Sequence, residues 1–251
     1  MRLKSIIMLL FLVILLHADI MYEMTTKTTG MMGMGDSETF MRIFIKGDRS
    51  RTEVKSTSTT MGELASAYIM RLDKSIMWTI DDANKKYMET SLIYTADDTA
   101  AVKPDSTLIK PDVNIEFTDE TKKILDHNCK KINVSLKLNG GDNDFNLTQT
   151  MWMAESLPGV DELKAYNKKL IDIGGGMMQS APVGIDKKAL EEFMNKTNEI
   201  NGFPLEIEFT MSINVEEMVM EVKTSSVVTK FSVVPISNKV FELPEGYTPY
   251  E

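Results

Sequence analysis

Apolar and polar residues alternate with a period of two over long stretches of the chain. Leu205, Ile207, Phe209, Met211, Ile213 and Val215 are separated by Glu206, Glu208, Thr210, Ser212 and Asn214. That spacing puts one set of side chains on a buried sheet face and the other in water. Ile132, Val134, Leu136 and Leu138 alternate in the same way with Lys131, Asn133, Ser135 and Lys137, and Phe145, Leu147, Met151 and Met153 follow after Asn139-Gly140-Gly141-Asp142-Asn143. The intervening residues favour turns, so the two runs predict a hairpin. Val113, Ile115 and Phe117 form a shorter run, as do Ile76, Trp78 and Ile80, the latter ended by Asp81-Asp82-Ala83-Asn84. Residues 20–28, 38–46 and 49–56 read as strands joined by turns that contain glycine. A meander is the natural topology for strands in this order.

Two segments follow helical spacing instead. In the first, Val160, Leu163, Tyr166, Leu170 and Ile171 share a face, with Pro158 before it and Gly174-Gly175-Gly176 as a stop. In the second, Asp186 is an N-cap, Leu190, Phe193, Met194 and Thr197 share a face, and Asn201-Gly202 ends it. Residues 91–112 have no clean period and read as loop with at most a short helix. Strands therefore predominate and two helices arrive late, an α+β arrangement with helices on one face of an antiparallel sheet. A sheet of about ten strands is expected to curve.

The start of the chain carries an export leader. Arg2 and Lys4 precede an unbroken run of 11 apolar residues, Ile6 to Leu16, and Leu16-His17-Ala18 offers a cleavage site before Asp19. The run is shorter than the roughly 20 residues a membrane span needs. Cleavage would leave residues 19–251 as one domain, soluble in the periplasm or otherwise exported, with an uncleaved anchor as the alternative. The formal charge is −9, and −11 without Arg2 and Lys4, which disfavours nucleic acid as a partner.

The chemistry is sparse. Of two histidines only His127 lies beyond the leader, two residues from the single cysteine, Cys129. That leaves no Cys/His zinc cage, no redox pair and no internal disulfide, and neither a catalytic constellation nor a cofactor is expected. Cys129 opens an alternating stretch and is expected to be a buried thiol. Eighteen of the 20 methionines lie beyond the leader, with the densest cluster at Met31-Met32-Gly33-Met34. Thioethers can bind Cu(I), but adaptable apolar filling is the plainer reading. Trp78 and Trp152 each fall within an expected strand, where a large aromatic packs a sheet or lines a cavity. By alternation Trp152 points away from Met151 and Met153. Asp142-Asn143-Asp144 lacks the glycine and the terminal glutamate of a calcium loop, so a solvated turn is expected.

Five stretches resemble a family of exported bacterial domains of unassigned function, grouped with the LolA/LppX-type lipoprotein and lipid carriers. They are Lys46-Gly47-Asp48-Arg49-Ser50-Arg51, Trp78-Thr79-Ile80-Asp81 with Lys85-Lys86-Tyr87, Cys129-Lys130-Lys131, Gly202-Phe203-Pro204-Leu205, and Phe241-Glu242-Leu243-Pro244-Glu245-Gly246-Tyr247. Where family members carry a glycine three residues before the cysteine, this chain has Asp126. The resemblance implies a strongly curved antiparallel half-barrel with helices on its concave face and an apolar cavity between them. It also implies an arginine near the second and third strands that holds a lid, for which Arg51 is the candidate.

Two functions compete at this point. One is a non-catalytic carrier or sensor that holds an acyl or lipid-like ligand, with Arg51, Trp78, Trp152, Leu163 and Phe193 as cavity candidates and a lipid or acylated protein as partner. The other is a module that recognises a second envelope protein, marked by an exposed apolar patch without a deep cavity. A monomer is expected in either case.

Overall fold

The structure is a computed structural model that describes residues 19–30, 35–93, 112–140, 143–173, 200–215 and 218–250. The strands are β1 (Ile20–Thr29), β2 (Ser37–Lys46), β3 (Arg49–Ser58), β4 (Gly62–Arg71), β5 (Ile76–Asp81) and β6 (Lys86–Ser91), then β7 (Asp112–Ile124), β8 (His127–Gly140), β9 (Asn143–Ala154), β10 (Phe203–Val215), β11 (Met218–Val233) and β12 (Thr248–Pro249). One helix, α1 (Val160–Asp172), and a short 3-10 turn (Asn238–Phe241) complete the described elements. No described helix is long and apolar enough to cross a membrane.

All twelve strands form one open, curved sheet in the order β12-β6-β5-β4-β3-β2-β1-β11-β10-β9-β8-β7. It is built from two meanders, β1–β6 and β7–β11. Antiparallel pairing of β1 with β11, from Ile20 opposite Val233 to Thr29 opposite Lys223, joins them. Only β12 is parallel to its neighbour, β6.

The expected strands and the first helix are present. The sheet has more strands than alternation suggested because β4 and β6 hide their period. In β4 the buried positions are Ala67, Ile69 and Arg71, and a charged residue at an inward position masks the pattern. The six residues of β6 include Lys86 and Glu89 and bury none fully. β7 runs past Phe117 to Ile124, with a register shift between Phe117 and Thr121. Leu125 and Asp126 both have positive φ, 48° and 64°, as the tight turn joining β7 to β8 requires. The family's glycine position is thus a left-handed one, which aspartate tolerates better than most residues. The helix expected at residues 186–197, with Phe193, lies outside the described residues, as does Met31–Met34.

Cross-strand register divides the side chains between two faces. On one face Ile20, Ile43 and Ile45 pack with Leu72, Leu92, Met70 and Met77 beneath Leu163 and Tyr166 of α1. The same face continues through β8 and β9 as a second cluster containing Ile132, Val134, Leu136 and Met151. On the opposite face Ala67, Ile69, Trp78 and Ile80 are covered by Ile236 and Phe241 of the C-terminal tail. Phe241 is completely buried. Helix and tail thus sandwich the β1–β6 half of the sheet.

The turn between β2 and β3 holds both layers. On the helix side Lys169 pairs with Asp48, and the Ser50 hydroxyl meets the Tyr166 hydroxyl at 2.6 Å. On the tail side Lys46 Nζ donates to the Ile236 carbonyl at 2.7 Å and to Asp19 Oδ2 at 2.8 Å. Asp19 Oδ2 also accepts the Ile236 amide at 2.7 Å, so one oxygen of a nearly buried carboxylate takes two donors. Arg49 stacks over the Phe241 ring at 5.4 Å. Gly47, at φ 55°, makes the sharp reversal.

Two further contacts fix the ends of these layers. A Cβ at Gly202, whose φ is 107°, would lie 2.7 Å from the Ala154 carbonyl oxygen, so only glycine lets β10 begin against β9. Beside it Phe203 meets Tyr22 edge-on at 5.3 Å, and burial pushes the Tyr22 phenol up to about 12. In the tail, Glu242 takes Arg71 Nη1 at 2.9 and 3.0 Å, while Asp73 takes Nε and Nη2 at 2.9 and 2.8 Å.

Hydrogen bonding from Arg71 holds the Asp73 carboxyl below its ordinary value. A carboxylate with a lowered folded pKa adds stability that is present above the unfolded pKa and is lost as pH falls through the folded one. The native protein should therefore melt above Asp73→Asn at pH values over about 4. The gap should narrow as pH is lowered below that. Thermal melts across pH check this, and a gap that does not change with pH would contradict it.

Candidate functional site

A groove of about 400 Å³ opens at the end of the sheet farthest from the tail. The register shift in β7 borders it: Thr118, Asp119 and Glu120 face the single residue Lys131 of β8, whose carbonyl accepts the Thr118 hydroxyl at 3.1 Å. Phe117 is its exposed apolar residue, while Ile132, Met153 and Ile200 belong to the core beneath it, and the rest of the lining is polar. The rim is polar but largely neutralised: Lys130 pairs with Glu155 at 3.0 Å and Lys131 with Glu120 at 2.8 Å. Asn201, also at the rim, accepts from Lys164 of α1 at 3.1 Å. Phe117 is 69% exposed although it stands opposite Ile132 on the apolar face. No sequence signal marks this groove, since alternation assigns Phe117 to a buried face and does not register the bulge.

The residues expected to line a cavity are not gathered there. Leu163 is 3% exposed and serves as core between α1 and the sheet. Trp78 lies on the tail face, donates Nε1–H to Glu89 at 2.8 Å, and has the Arg71 guanidinium 6.0 Å from its ring centre. Arg51 is also on the tail face, paired with Glu53 at 3.0 Å. Asp48 and Ser50, not Arg51, bond α1 from the β2–β3 turn. Trp152 does point away from Met151 and Met153. Lys122 sits 4.2 Å above its ring and bonds Glu206 at 2.6 Å. Phe193 lies outside the described residues.

Cys129 is 1% exposed, packed with Ala154, Leu157 and Leu205. Burial pushes its thiol up, which suppresses the thiolate and makes the group unreactive. Tyr166, on the buried face of α1, is likewise pushed up by burial. Among the described residues no cluster of three His, Cys, Asp or Glu side chains could hold a metal ion.

The domain is thus an open sheet of two meanders, covered by a helix on one face and its own tail on the other. The chain belongs to the family described as domain of unknown function DUF4412, whose model matches residues 24–247 and so takes in all five stretches noted above. The structure gives most of them structural parts: the turn that clamps helix and tail, the edge hairpin, the buried thiol, the start of β10 and the tail itself. No curated protein matches the chain. Among solved structures it is similar to a domain from Vibrio parahaemolyticus provisionally described as an outer membrane lipoprotein-sorting protein, at 8% identity over 89% of each chain and a TM-score of 0.29. At that score the likeness carries no argument about this chain.

The Cys129 environment generates a direct check. A bulky thiol reagent should leave the native protein unlabelled and modify it once unfolded, and Cys129→Ser should cost about 1 to 3 kcal/mol by burying a hydroxyl. Rapid labelling of the native protein would contradict the burial.

Proposed function

We propose that the protein is an exported, non-catalytic binding domain that holds the hydrophobic part of an acyl or lipid-like ligand. The observation that carries this reading is the groove of about 400 Å³ walled by Phe117, Ile132, Met153 and Ile200. Its volume is at the lower end of the range for ligand sites, about 300 to 1,000 Å³, which suits a single chain better than a two-chain lipid. The paired rim residues supply polar contacts without a strong net charge, so the groove selects for amphiphilic character and not for an anion. The leader expected at residues 1–18 would place the domain outside the cytoplasm, where a carrier for membrane-derived chains has its ligands.

Each buried methylene contributes about 0.8 kcal/mol. Ten give roughly 8 kcal/mol, from which the costs of association and ordering are subtracted. Micromolar or weaker binding is the consequence.

Titration of delipidated protein with a fluorescent fatty acid or lysophospholipid tests the proposal. Binding should saturate, and Phe117→Asp should weaken it by about tenfold or more, which is about 1.4 kcal/mol. Because Phe117 is exposed, the same substitution should change stability by no more than about 0.5 kcal/mol. Absence of saturable binding to folded, lipid-free protein would overturn the carrier reading and favour recognition of another protein.

A further inference from the structure

The C-terminal tail is attached in two ways. From Ile236 to Leu243 it is anchored by the buried Phe241, by Arg71 with Glu242, and by Lys46 on the Ile236 carbonyl. Gly246, at φ 83°, turns the chain, and Thr248, Pro249 and Tyr250 are then exposed. This last piece lies along the sheet edge at β6 as a parallel strand. The Thr248 amide donates to the Lys85 carbonyl at 3.1 Å and the Tyr250 amide to the Tyr87 carbonyl at 2.9 Å. Its side chains are read as well. The Tyr247 hydroxyl donates to Asp82 and the Tyr250 hydroxyl to Asp81. Lys86 Nζ stands 5.1 Å from the centre of the Tyr250 ring.

Two hydroxyls three residues apart, two carboxylates side by side and a backbone ladder make a recognition site for an extended chain. We propose that the β6 edge, with Asp81, Asp82 and Lys86, is a strand-acceptor site for an extended polypeptide segment that carries two tyrosines three residues apart, and that the chain's own tail occupies it as a replaceable strap.

The occupant follows from the chemistry. Asp81 and Asp82 accept hydrogen bonds and would repel an acidic segment, so the incoming chain supplies neutral phenolic donors. Lys86 favours an aromatic face at the second tyrosine. Backbone pairing requires an extended segment running parallel to β6, the mode by which strands add to exposed sheet edges. The tail pairs with only Lys86 and Tyr87. By alternation the carbonyls of Glu89 and Ser91 face the same edge, where no described strand takes them, and Met88 is 51% exposed. A longer segment gains those contacts and can displace the strap, whose tethering gives it a high effective concentration but a short ladder. Neither the groove nor its ligand enters this proposal.

The test uses the full chain and a labelled synthetic peptide that copies residues 246–250 and continues with four alternating valine and lysine residues. Replacing Tyr247 and Tyr250 by phenylalanine removes the strap's clamped hydroxyls while keeping its rings, so this variant should bind the peptide about tenfold more tightly than the native chain. Adding Asp81→Asn and Asp82→Asn should abolish that gain, and hydrogen exchange should show peptide-dependent protection in residues 86–91. Tyr250→Phe alone, at an exposed side chain, gives the same comparison if the double variant is unstable. Absence of saturable binding to both variants, binding indifferent to the two aspartates, or protection elsewhere than β6 would overturn the proposal.

Discussion

The turn from Lys46 to Ser50 is the constraint on which the two-layered half of the molecule depends. Side chains that alternate along a strand point to opposite faces, and a tight turn brings both sets within reach of whatever covers each face. Here Asp48 and Ser50 grip α1 while Lys46 and Arg49 grip the tail. Ser50 and Tyr166 are both buried. Removing the Ser50 hydroxyl leaves that of Tyr166 with the Met70 sulfur at 3.6 Å, and an unsatisfied buried polar group costs about 1 to 3 kcal/mol. The contacts are few, but they couple two elements more than 60 residues apart that never touch each other through the sheet.

Long-range closure explains why such a clamp is needed. The meanders fold from neighbouring strands, whereas β1 and β11 must meet across nearly the whole chain, an entropically costly pairing. Once formed, it puts the residue before β1 and those just after β11 beside the β2–β3 turn. Asp19, immediately before β1, accepts from Lys46 and from the Ile236 amide, so one carboxylate joins the start, the turn and the tail. Among the described residues the β7–β9 end has no comparable tie on the tail side. There the bulge after Phe117 opens a groove instead of closing a core.

Period-two alternation located most of the long strands because each buries one face against a continuous layer. It failed at β4, where Arg71 occupies an inward position to hold Asp73 and Glu242, and at β6, a six-residue strand that buries no side chain fully and so shows no apolar period. The strand order was only half legible. A meander follows from short turns, but nothing in the alternation of Ile20 or Val228 says that β1 and β11 are neighbours. The cavity residues were the least legible part. Trp78 and Arg51 were chosen for type and motif, and the sheet directs both toward the tail. The groove arises from a local register shift, which depends on how β7 meets β8 and leaves no mark in composition. Gly202 was part of a motif, yet its reason, the approach of the Ala154 carbonyl, exists only in three dimensions.

Amide hydrogen exchange on Gly47→Val tests the clamp most directly. A β-branched residue strains the positive φ at this position, and no atom lies within 4 Å of the added Cβ, so the perturbation acts through the turn and not through crowding. Exchange should quicken together in α1 and in residues 236–243, with β8, β9 and β10 unchanged. An effect confined to the turn, or spread evenly over the whole sheet, would contradict the account.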